Sequence, residues 1–187
     1  SIVLSTFDLR PDDSGTKIIA ALYTAAERGV QVQILIDGIY QKLFLEKSPV
    51  FQALAAHQNI EVGIYNPVTN LMRLNYRMHD KYLIIDESMY LLGGRNTNDI
   101  FLGDKKTRIN VDRDIFVYEE TQGKGESLQA LEKYFDAIWN EAQVRKKKKT
   151  YAASYEEKYK SEYHQLKERY RSLKEKYPDI ENYEHWE

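Results

Sequence analysis

The strongest constraint on the fold is an apolar run, Val30–Asp37, that directly follows a segment with helical periodicity. Within Thr16–Arg28 the apolar side chains recur at steps of three and four, and Gly29 follows as a helix-ending residue. The run Val-Gln-Val-Gln-Ile-Leu-Ile-Asp ends in a continuous apolar stretch, which is typical of a strand in the centre of a sheet. The two segments together predict a helix that packs against a buried strand.

The same alternation of strand and helix patterns continues along the chain. The other predicted strands are Ser1–Asp8, Ile60–Tyr65, Lys81–Asp86, Met89–Leu92 and Asn110–Tyr118, and further helices are predicted from Ser48-Pro49 to about His57 and from near Glu126. The two-residue link Glu87-Ser88 is too short for a crossover and requires an antiparallel pair. The fold class predicted from these patterns is an α/β sandwich with a mixed sheet.

Charge and cysteine content exclude several classes of site. Residues 1–142 carry 15 Lys and Arg against 20 Asp and Glu, a net charge of −5, whereas residues 143–187 carry 12 against 9, a net charge of +3. A basic face is the usual footprint of a nucleic-acid-binding surface, so the acidic body argues against nucleic acid as a partner. The absence of cysteine excludes disulfides, a thiol nucleophile and cysteine-type zinc sites.

The last quarter of the chain, residues 143–187, is predicted to be a charged, tyrosine-rich helical extension. Its segment Val144–Tyr177 contains no glycine or proline, and Pro178 ends it. One face carries residues at steps of three and four, namely Tyr159, Tyr163, Leu166, Tyr170, Leu173 and Tyr177. Two interpretations stay open: a packing helix that connects two lobes, or a helix on a membrane or partner, with Lys146–Lys149 near anionic lipid.

A compact set of polar residues carries the predicted chemistry. His79 and Lys81 lie two residues apart at the start of a strand, so the period of two directs both side chains to one face. An imidazole and an ammonium at one spot suit a phosphate group. After the next strand, Gly93-Gly94 permits a close backbone approach, and Asn96 directs an amide to the same end of the sheet.

The spacing of these residues, H-x-K-x4-D-x6-G-G-x-N from His79 to Asn96, resembles the motif of the phospholipase D superfamily at every defined position. The resemblance extends over about residues 1–142 and includes Ala25–Val30 and Arg113–Val117. It implies the N-terminal lobe of a bacterial phospholipase D or cardiolipin synthase-like protein.

This resemblance also implies roles for individual residues in a reaction that uses no metal and no other cofactor. His79 is the implied nucleophile that forms a phosphohistidine, while Lys81, Asn96 and Gly94 are the implied phosphate ligands. Asp86 belongs to the implied catalytic set, either in the site itself or as a support for its loop.

A carboxylate is expected to orient the nucleophilic imidazole. In the resemblance Asp114 holds this position, and we favour it over Asp112 and Asp104. The mechanism also requires a second histidine as general acid. The remaining histidines, His57, His164 and His185, are not part of a second motif.

The missing second motif predicts a partner lobe. It belongs either to the same parent chain or to a second copy in a homodimer. We favour the same parent chain, because the sequence opens at Ser1 without an initiator methionine and the tail suits a connector. The isolated chain is expected to be soluble and nearly inactive, whereas the parent protein is expected at the bacterial membrane.

Three functions are compatible with the sequence. The first is a lipid-directed phosphodiesterase or phosphatidyltransferase with a phospholipid substrate. The second is a nuclease-type phosphodiesterase, for which a set of arginines near the motif argues: Arg73, Arg77, Arg95, Arg108 and Arg113. The third is a non-catalytic interaction module.

Overall fold

The computed structural model describes residues 1–69, 74–103, 110–120, 124–147 and 157–178. A seven-stranded mixed sheet forms the centre of the molecule, in the order β6-β5-β4-β1-β2-β3-β7. The strands are β1 (Ile2–Thr6), β2 (Val32–Asp37), β3 (Ile60–Tyr65), β4 (Lys81–Ile85), β5 (Met89–Gly93), β6 (Asp114–Tyr118) and β7 (Val144–Lys146). The predicted α/β class with a mixed sheet is confirmed.

The parallel and antiparallel parts of this sheet meet at β1. Strands β1, β2 and β3 are parallel, and β4 runs antiparallel to β1, with Lys81 opposite Thr6. The β4–β5 pair is antiparallel, as the short link after β4 predicts, and the β5–β6 pair is antiparallel as well. The start of β4 and the end of β5 therefore lie at the carboxyl ends of β1 and β2, where ligand sites of α/β sheets commonly occur.

Helices cover both faces of the sheet. They are α1 (Asp13–Glu27), the short α2 (Gly38–Tyr40) with a following π-helical turn (Gln41–Leu45), α3 (Pro49–Ala56), α4 (Asp99–Leu102), α5 (Glu126–Trp139) and α6 (Lys160–Lys176). Side chains of Asp12 and Ser48 cap α1 and α3, and Pro49 occupies the first turn of α3.

The period of two along β2 divides the core into two layers. Val32, Ile34 and Ile36 face the layer that α1, α3 and α6 cover, whereas Leu35 faces the layer that contains Phe135 and Trp139 of α5. Among the described helices, none combines the length and the hydrophobicity that crossing a membrane requires.

The helix prediction for the tail is wrong at its start. Val144–Lys146 forms β7, which pairs antiparallel with β3 through Gly63–Lys146 and Tyr65–Val144. This pairing satisfies backbone groups of β3 that an open sheet edge would leave without partners. Helix α6 begins at Lys160, and residues 148–156 lie outside the described residues.

The tyrosine stripe of α6 packs on the body of the same chain. Leu166 is fully buried in the layer that contains α1, and Tyr163 stacks on Tyr23 with ring centroids 5.1 Å apart. Tyr170 packs against the same layer, whereas Tyr177 is 45% exposed. The structure therefore supports the packing interpretation of this helix.

Candidate active site

His79 and Lys81 meet at the carboxyl edge of the sheet. Lys81 is the first residue of β4, and its Nζ lies 3.1 Å from Nδ1 of His79. The same ammonium donates a hydrogen bond of 2.6 Å to the carbonyl oxygen of His79. Because an ammonium only donates, Nδ1 is the acceptor, and a neutral imidazole then carries its proton on Nε2.

Phe7 supports both of these side chains. The centroid of its ring lies 4.5 Å from that of the His79 imidazole, and Lys81 Nζ lies 5.3 Å from the Phe7 centroid. The second distance lies within the range of a cation–π contact. Phe7 follows β1 directly, so the strand that pairs with β4 also supplies the aromatic support for its first residue.

Lys81 is a buried cation, only 8% exposed. Burial lowers the pKa of its ammonium, and the negative charges of Asp80, Asp112 and Asp8 partly oppose this shift. Burial makes a positive charge costly unless an anion accompanies it. Lys81 is therefore well placed to bind an anionic group.

Asn96 is equally buried and lies in the same cavity as Lys81. Within the described residues its Oδ1 has no hydrogen-bond partner. Buried amide groups are rarely left unpaired, which makes Asn96 a candidate for a binding role. Its amide nitrogen is the group that can donate to an anion.

The cavity has a volume of about 310 Å³ and opens between the sheet and α1. Lys81, Asn96 and Thr97 line it at the carboxyl edge, and much of the remaining wall is apolar, including Leu22 and Leu83. His79 is exposed and does not line this cavity; it joins the group through its contact with Lys81. Lys81 and Asn96 thus share this cavity, while His79 lies beside it.

Asp114 does not contact the imidazole. Its carboxylate accepts a hydrogen bond of 2.5 Å from Nε of Arg95, and it lines the cavity near Lys81 and Asn96. In this structure Asp114 forms an ion pair with Arg95, and its predicted role beside His79 stays a prediction. The alternative carboxylate Asp104 lies outside the described residues.

The glycine pair makes room for two carboxylates. A Cβ at Gly93 would overlap the Asp114 carboxylate, and a Cβ at Gly94 would overlap that of Asp112. Gly93 is paired with Asp114 across β5 and β6. The close approach that the sequence predicts thus brings acidic side chains to these glycines, and the predicted phosphate contact of Gly94 stays a prediction.

Asp86 lies at the other end of β4 and does not join the site. It is exposed in the turn between β4 and β5, with a φ of 51° in the left-handed region that Asp tolerates comparatively well. It lies five positions after Lys81 along the strand, a distance of about 16 Å. Its predicted membership of the catalytic set is therefore corrected to a role in the hairpin turn.

A buried polar cluster of Asp8, Arg10 and Asn98 holds the segment that carries Asn96, and it was not predicted from the sequence. Asn98 is fully buried and donates to Asp8 Oδ2 at 2.9 Å, while Arg10 binds the same carboxylate through Nε and Nη2. The amide of Thr97 donates to the Asp8 carbonyl at 3.0 Å. An Asp and an Asn placed shortly after strands were the only signals in the sequence.

Two arginines near the motif are neutralised by aspartates. Arg77 pairs with Asp37 and Arg95 pairs with Asp114. Arg73 and Arg108 lie outside the described residues. The described part of the chain therefore offers fewer free cations for a polyanion than the sequence suggests.

The described residues bring no second histidine to His79. His57 lies between α3 and β3, at the opposite edge of the sheet, where its Nε2 is 3.3 Å from Glu27. His164 is an exposed residue of α6, and His185 lies outside the described residues.

The comparisons with known proteins decide the family. The family model described as cardiolipin synthase, PLD-like domain, matches residues 1–139. The chain belongs to the phospholipase D superfamily. This match covers the sheet from β1 to β6, the helices α1 to α5 and the site described above.

Two relatives of the domain are cardiolipin synthases. The chain is 33% identical to cardiolipin synthase C of Escherichia coli over 119 residues, which cover 56% of this chain and 24% of the relative. It is 33% identical to a cardiolipin synthase of Clostridium perfringens over 141 residues, which cover 75% of this chain and 28% of the relative. The chain thus spans about a quarter of the length of these relatives.

Solved structures of the superfamily share the fold. Nuc of Salmonella typhimurium, a phospholipase D family member, matches with a TM-score of 0.52 at 20% identity and covers 79% of this chain and 81% of its own. NucT of Helicobacter pylori matches with a TM-score of 0.52 at 19% identity and covers 76% of this chain and 79% of its own. These likenesses support the architecture of the phospholipase D-like domain.

Proposed function

We propose that this domain supplies half of a phospholipase D-type active site, in a bacterial protein that cleaves or transfers phosphatidyl groups. The observation that carries the proposal is the contact of 3.1 Å between Lys81 Nζ and His79 Nδ1, beside the buried amide of Asn96, whose nitrogen can donate to a phosphate oxygen. A potential nucleophile, a buried cation and a polar amide lie together on one edge of the sheet. This combination suits a phosphodiester, since it pairs a nucleophile with groups that stabilise negative charge.

In the proposed reaction a nitrogen of His79 attacks phosphorus, and the bond to the leaving alkoxide breaks. The product is a phosphohistidine, and water or an alcohol then displaces the histidine and yields a phosphate monoester or a new diester. Lys81 and Asn96 stabilise the charge on the equatorial oxygens of the pentacoordinate state. The general acid that protonates the leaving alkoxide comes from a second motif.

Substrate binding and activation of the nucleophile are coupled in this scheme. In the free chain Lys81 donates to Nδ1, which leaves the proton of a neutral ring on Nε2 and blocks attack through that atom. A bound phosphate competes for the Lys81 ammonium and releases Nδ1. The imidazole can then hold its proton on Nδ1 and present the lone pair of Nε2 to phosphorus.

Asp114 stays our proposed acceptor for the Nδ1 proton. Its carboxylate is bound by Arg95 in the free chain, so this ion pair must open before Asp114 reaches His79. In this scheme the ion pair between Arg95 and Asp114 is present in the unassembled site and broken in the assembled one. Truncating the Arg95 side chain should therefore leave Asp114 in the site, with its carboxylate less well ordered.

The names of the relatives support a phospholipid as the substrate class. The two relatives named above are cardiolipin synthases, and a phosphatidyltransferase of that kind works on lipid phosphodiesters. We propose that the parent protein acts at the bacterial membrane surface. The nuclease-type alternative receives less support, because Arg77 and Arg95 are both paired with aspartates.

A second lobe is the proposed partner of this domain, from the same parent chain or a second copy. Strand β6 starts at Asp114 and is an edge of the sheet, and its residues Ile115, Phe116 and Tyr118 are 65%, 56% and 61% exposed. Exposed apolar residues on an edge strand commonly mark an interface. A lobe that covers β6 would lie beside the candidate site.

Turnover by the isolated chain tests the half-site. The purified chain is assayed with a chromogenic phosphodiester, phosphatidylglycerol vesicles and a single-stranded oligonucleotide, while light scattering determines its oligomeric state. We expect a monomer with almost no turnover, and mass spectrometry without acid treatment should reveal at most an alkylphosphoryl group on His79, because its P–N bond is acid-labile. The His79→Ala variant is the matched control for any residual signal. Robust turnover by a demonstrated monomer would refute the need for a second motif.

A further inference from the structure

A buried ion pair lies directly behind the segment that carries His79. Asp37, the last residue of β2, is fully buried, and its Oδ1 accepts a hydrogen bond of 3.1 Å from Nη1 of Arg77. The Arg77 side chain is itself only 15% exposed. A buried pair of this kind is strongly destabilised when one partner is removed, because the other charge stays uncompensated.

Asp37 also binds the backbone next to His79. Its Oδ2 accepts the amide of Met78 at 3.2 Å, and its Oδ1 accepts the amide of Ile39 at 2.9 Å. One carboxylate therefore holds the side chain of Arg77 and the main chain of Met78. Since Met78 directly precedes His79, this contact between Asp37 and Met78 fixes the backbone from which His79 leads into β4.

Arg77 extends the connection to the next strand. Its Nη2 donates to the carbonyl of Asn66 at 3.1 Å, and Asn66 Nδ2 donates to the carbonyl of Tyr76 at 2.8 Å. Asn66 follows β3 directly and has a φ of 42°. The ends of β2 and β3 are thus both bound to the segment Tyr76–Met78.

We propose that Asp37 and Arg77 are positioning residues, which hold Tyr76–Met78 so that the His79 imidazole meets Lys81 and Phe7. The inference rests on the proposed role of His79 as nucleophile. It also assigns Arg77 to a structural contact rather than to the substrate, because both terminal nitrogens of its guanidinium bind groups of the protein. Asp37 and Arg77 reach the reaction only through the backbone.

The ionisation of Asp37 decides whether this contact is made. Burial raises the pKa of Asp37, and the amide of Ile39, the charge of Arg77 and the amide of Met78 act in the opposite direction. Protonation below that raised pKa would remove the ion pair with Arg77. The placement of His79 should therefore change at a pH above the ordinary range for Asp side chains.

The test uses the 187-residue chain and its Asp37→Asn, Arg77→Gln and Arg77→Lys variants. Diethyl pyrocarbonate modification, mapped by mass spectrometry, gives the reactivity of His79 relative to His57 and His164 in the same molecule. Orthovanadate affinity measures assembly of the phosphate site. Ile60→Ala is the stability-matched control, since Ile60 is fully buried at the far end of β3.

We expect Asp37→Asn and Arg77→Gln to change the reactivity ratio of His79 and to weaken vanadate binding about tenfold or more, as small misplacements of catalytic groups commonly do. Arg77→Lys should recover part of the loss, because it keeps the charge but not the paired donors. Ile60→Ala should lower the melting temperature without either effect. An unchanged ratio and affinity in both Asp37→Asn and Arg77→Gln would overturn the proposal.

Met78 provides an independent readout of Asp37. The chain has three methionines, so the ¹³C-methyl signal of Met78 can be assigned by substitution, with Met89 of β5 as a reference. In the unsubstituted 187-residue chain, the chemical shift of the Met78 methyl group should change at a pH above the ordinary range for Asp side chains. In Asp37→Asn this shift should stay constant. If the unsubstituted chain binds no vanadate, the proposed function fails. The reactivity of His79 relative to His57 and His164, together with this titration, then still decides the positioning role.

Discussion

The ammonium of Lys81 lies 3.1 Å from Nδ1 of His79 and 2.6 Å from the carbonyl oxygen of the same residue. This contact occupies the cation in the absence of a ligand. It supplies two hydrogen-bond acceptors to an ammonium that is buried away from water. The ammonium has a third donor for an anion, and an anion that also takes the hydrogen bond to Nδ1 would release the imidazole.

Replacing Lys81 by methionine should separate stability from function. The variant Lys81→Met removes a buried charge and keeps much of the side-chain volume, so the free energy of unfolding should change by less than about 1 kcal/mol or increase. Vanadate binding should fall by at least about a hundredfold, since a charged phosphate ligand is lost. Chemical denaturation and calorimetric titration measure the two effects. A large loss of stability with retained binding would contradict the assignment of Lys81 as phosphate ligand.

In the unsubstituted chain, the pH dependence of stability and of vanadate affinity should show the lowered pKa of Lys81. Because burial lowers this pKa in the folded state, the folded chain releases the Lys81 proton at a lower pH than the unfolded chain does. The Lys81 contribution to stability therefore rises with pH between the folded and unfolded pKa values, while vanadate affinity falls as pH rises through the folded value. Denaturation curves and vanadate titrations across the alkaline range measure both trends. In Lys81→Met the Lys81 part of both trends should be lost, whereas the stability contribution of Lys147, whose pKa burial also lowers, should remain.

Substituting Gly93 by alanine should displace the Asp114 carboxylate. The added Cβ would overlap that side chain, and overpacking of this kind costs about 1–3 kcal/mol. The double variant Gly93→Ala/Asp114→Ala removes the overlap with the carboxylate and should recover part of the lost stability, whereas the contact of 2.7 Å with the Asp114 Cα stays. A double-mutant cycle from denaturation curves gives the coupling. Additive effects of the two changes would show that Asp114 does not lie against Gly93.

Truncating Leu166 should detach α6 from the body. Leu166 is fully buried in the layer that contains α1, so Leu166→Ala should cost about 2–5 kcal/mol. Tyr177→Ala is the matched control, because Tyr177 is exposed on the same helix and should change stability by less than about 0.5 kcal/mol. Amide hydrogen exchange should show protection of α6 without vesicles and no gain when anionic vesicles are added. Protection that requires vesicles would instead support the membrane interpretation of the tail.

Most of the fold could be predicted from the local pattern of residues. The apolar run of β2 and the helical periodicity before it lie within a few positions of their observed bounds, and the link after β4 correctly predicts an antiparallel pair. These signals are local, since the periods of two and 3.6 residues follow from backbone geometry. The family motif placed His79, Lys81 and Asn96 at one edge of the sheet for the same reason.

The tail shows where local pattern is insufficient. Val144–Lys146 continues a charged segment with no glycine or proline, yet it forms β7 because the edge of β3 supplies hydrogen-bond partners. Strand propensity depends strongly on such partners, whereas helix propensity is mainly local. The start of the helix could therefore not be located from the sequence.

The sequence by itself determined the α/β class, the order of the elements and which residues of the motif share one end of the sheet. Only the tertiary structure decided how the charges pair: Asp114 with Arg95, and Asp37 with Arg77. Residues spaced by two positions on one strand share a face in any sheet, so their proximity is encoded locally. The partner of a carboxylate depends instead on which segments become neighbours in the folded chain. Asp37 at the end of β2 meets Arg77, which is 40 positions away in the sequence.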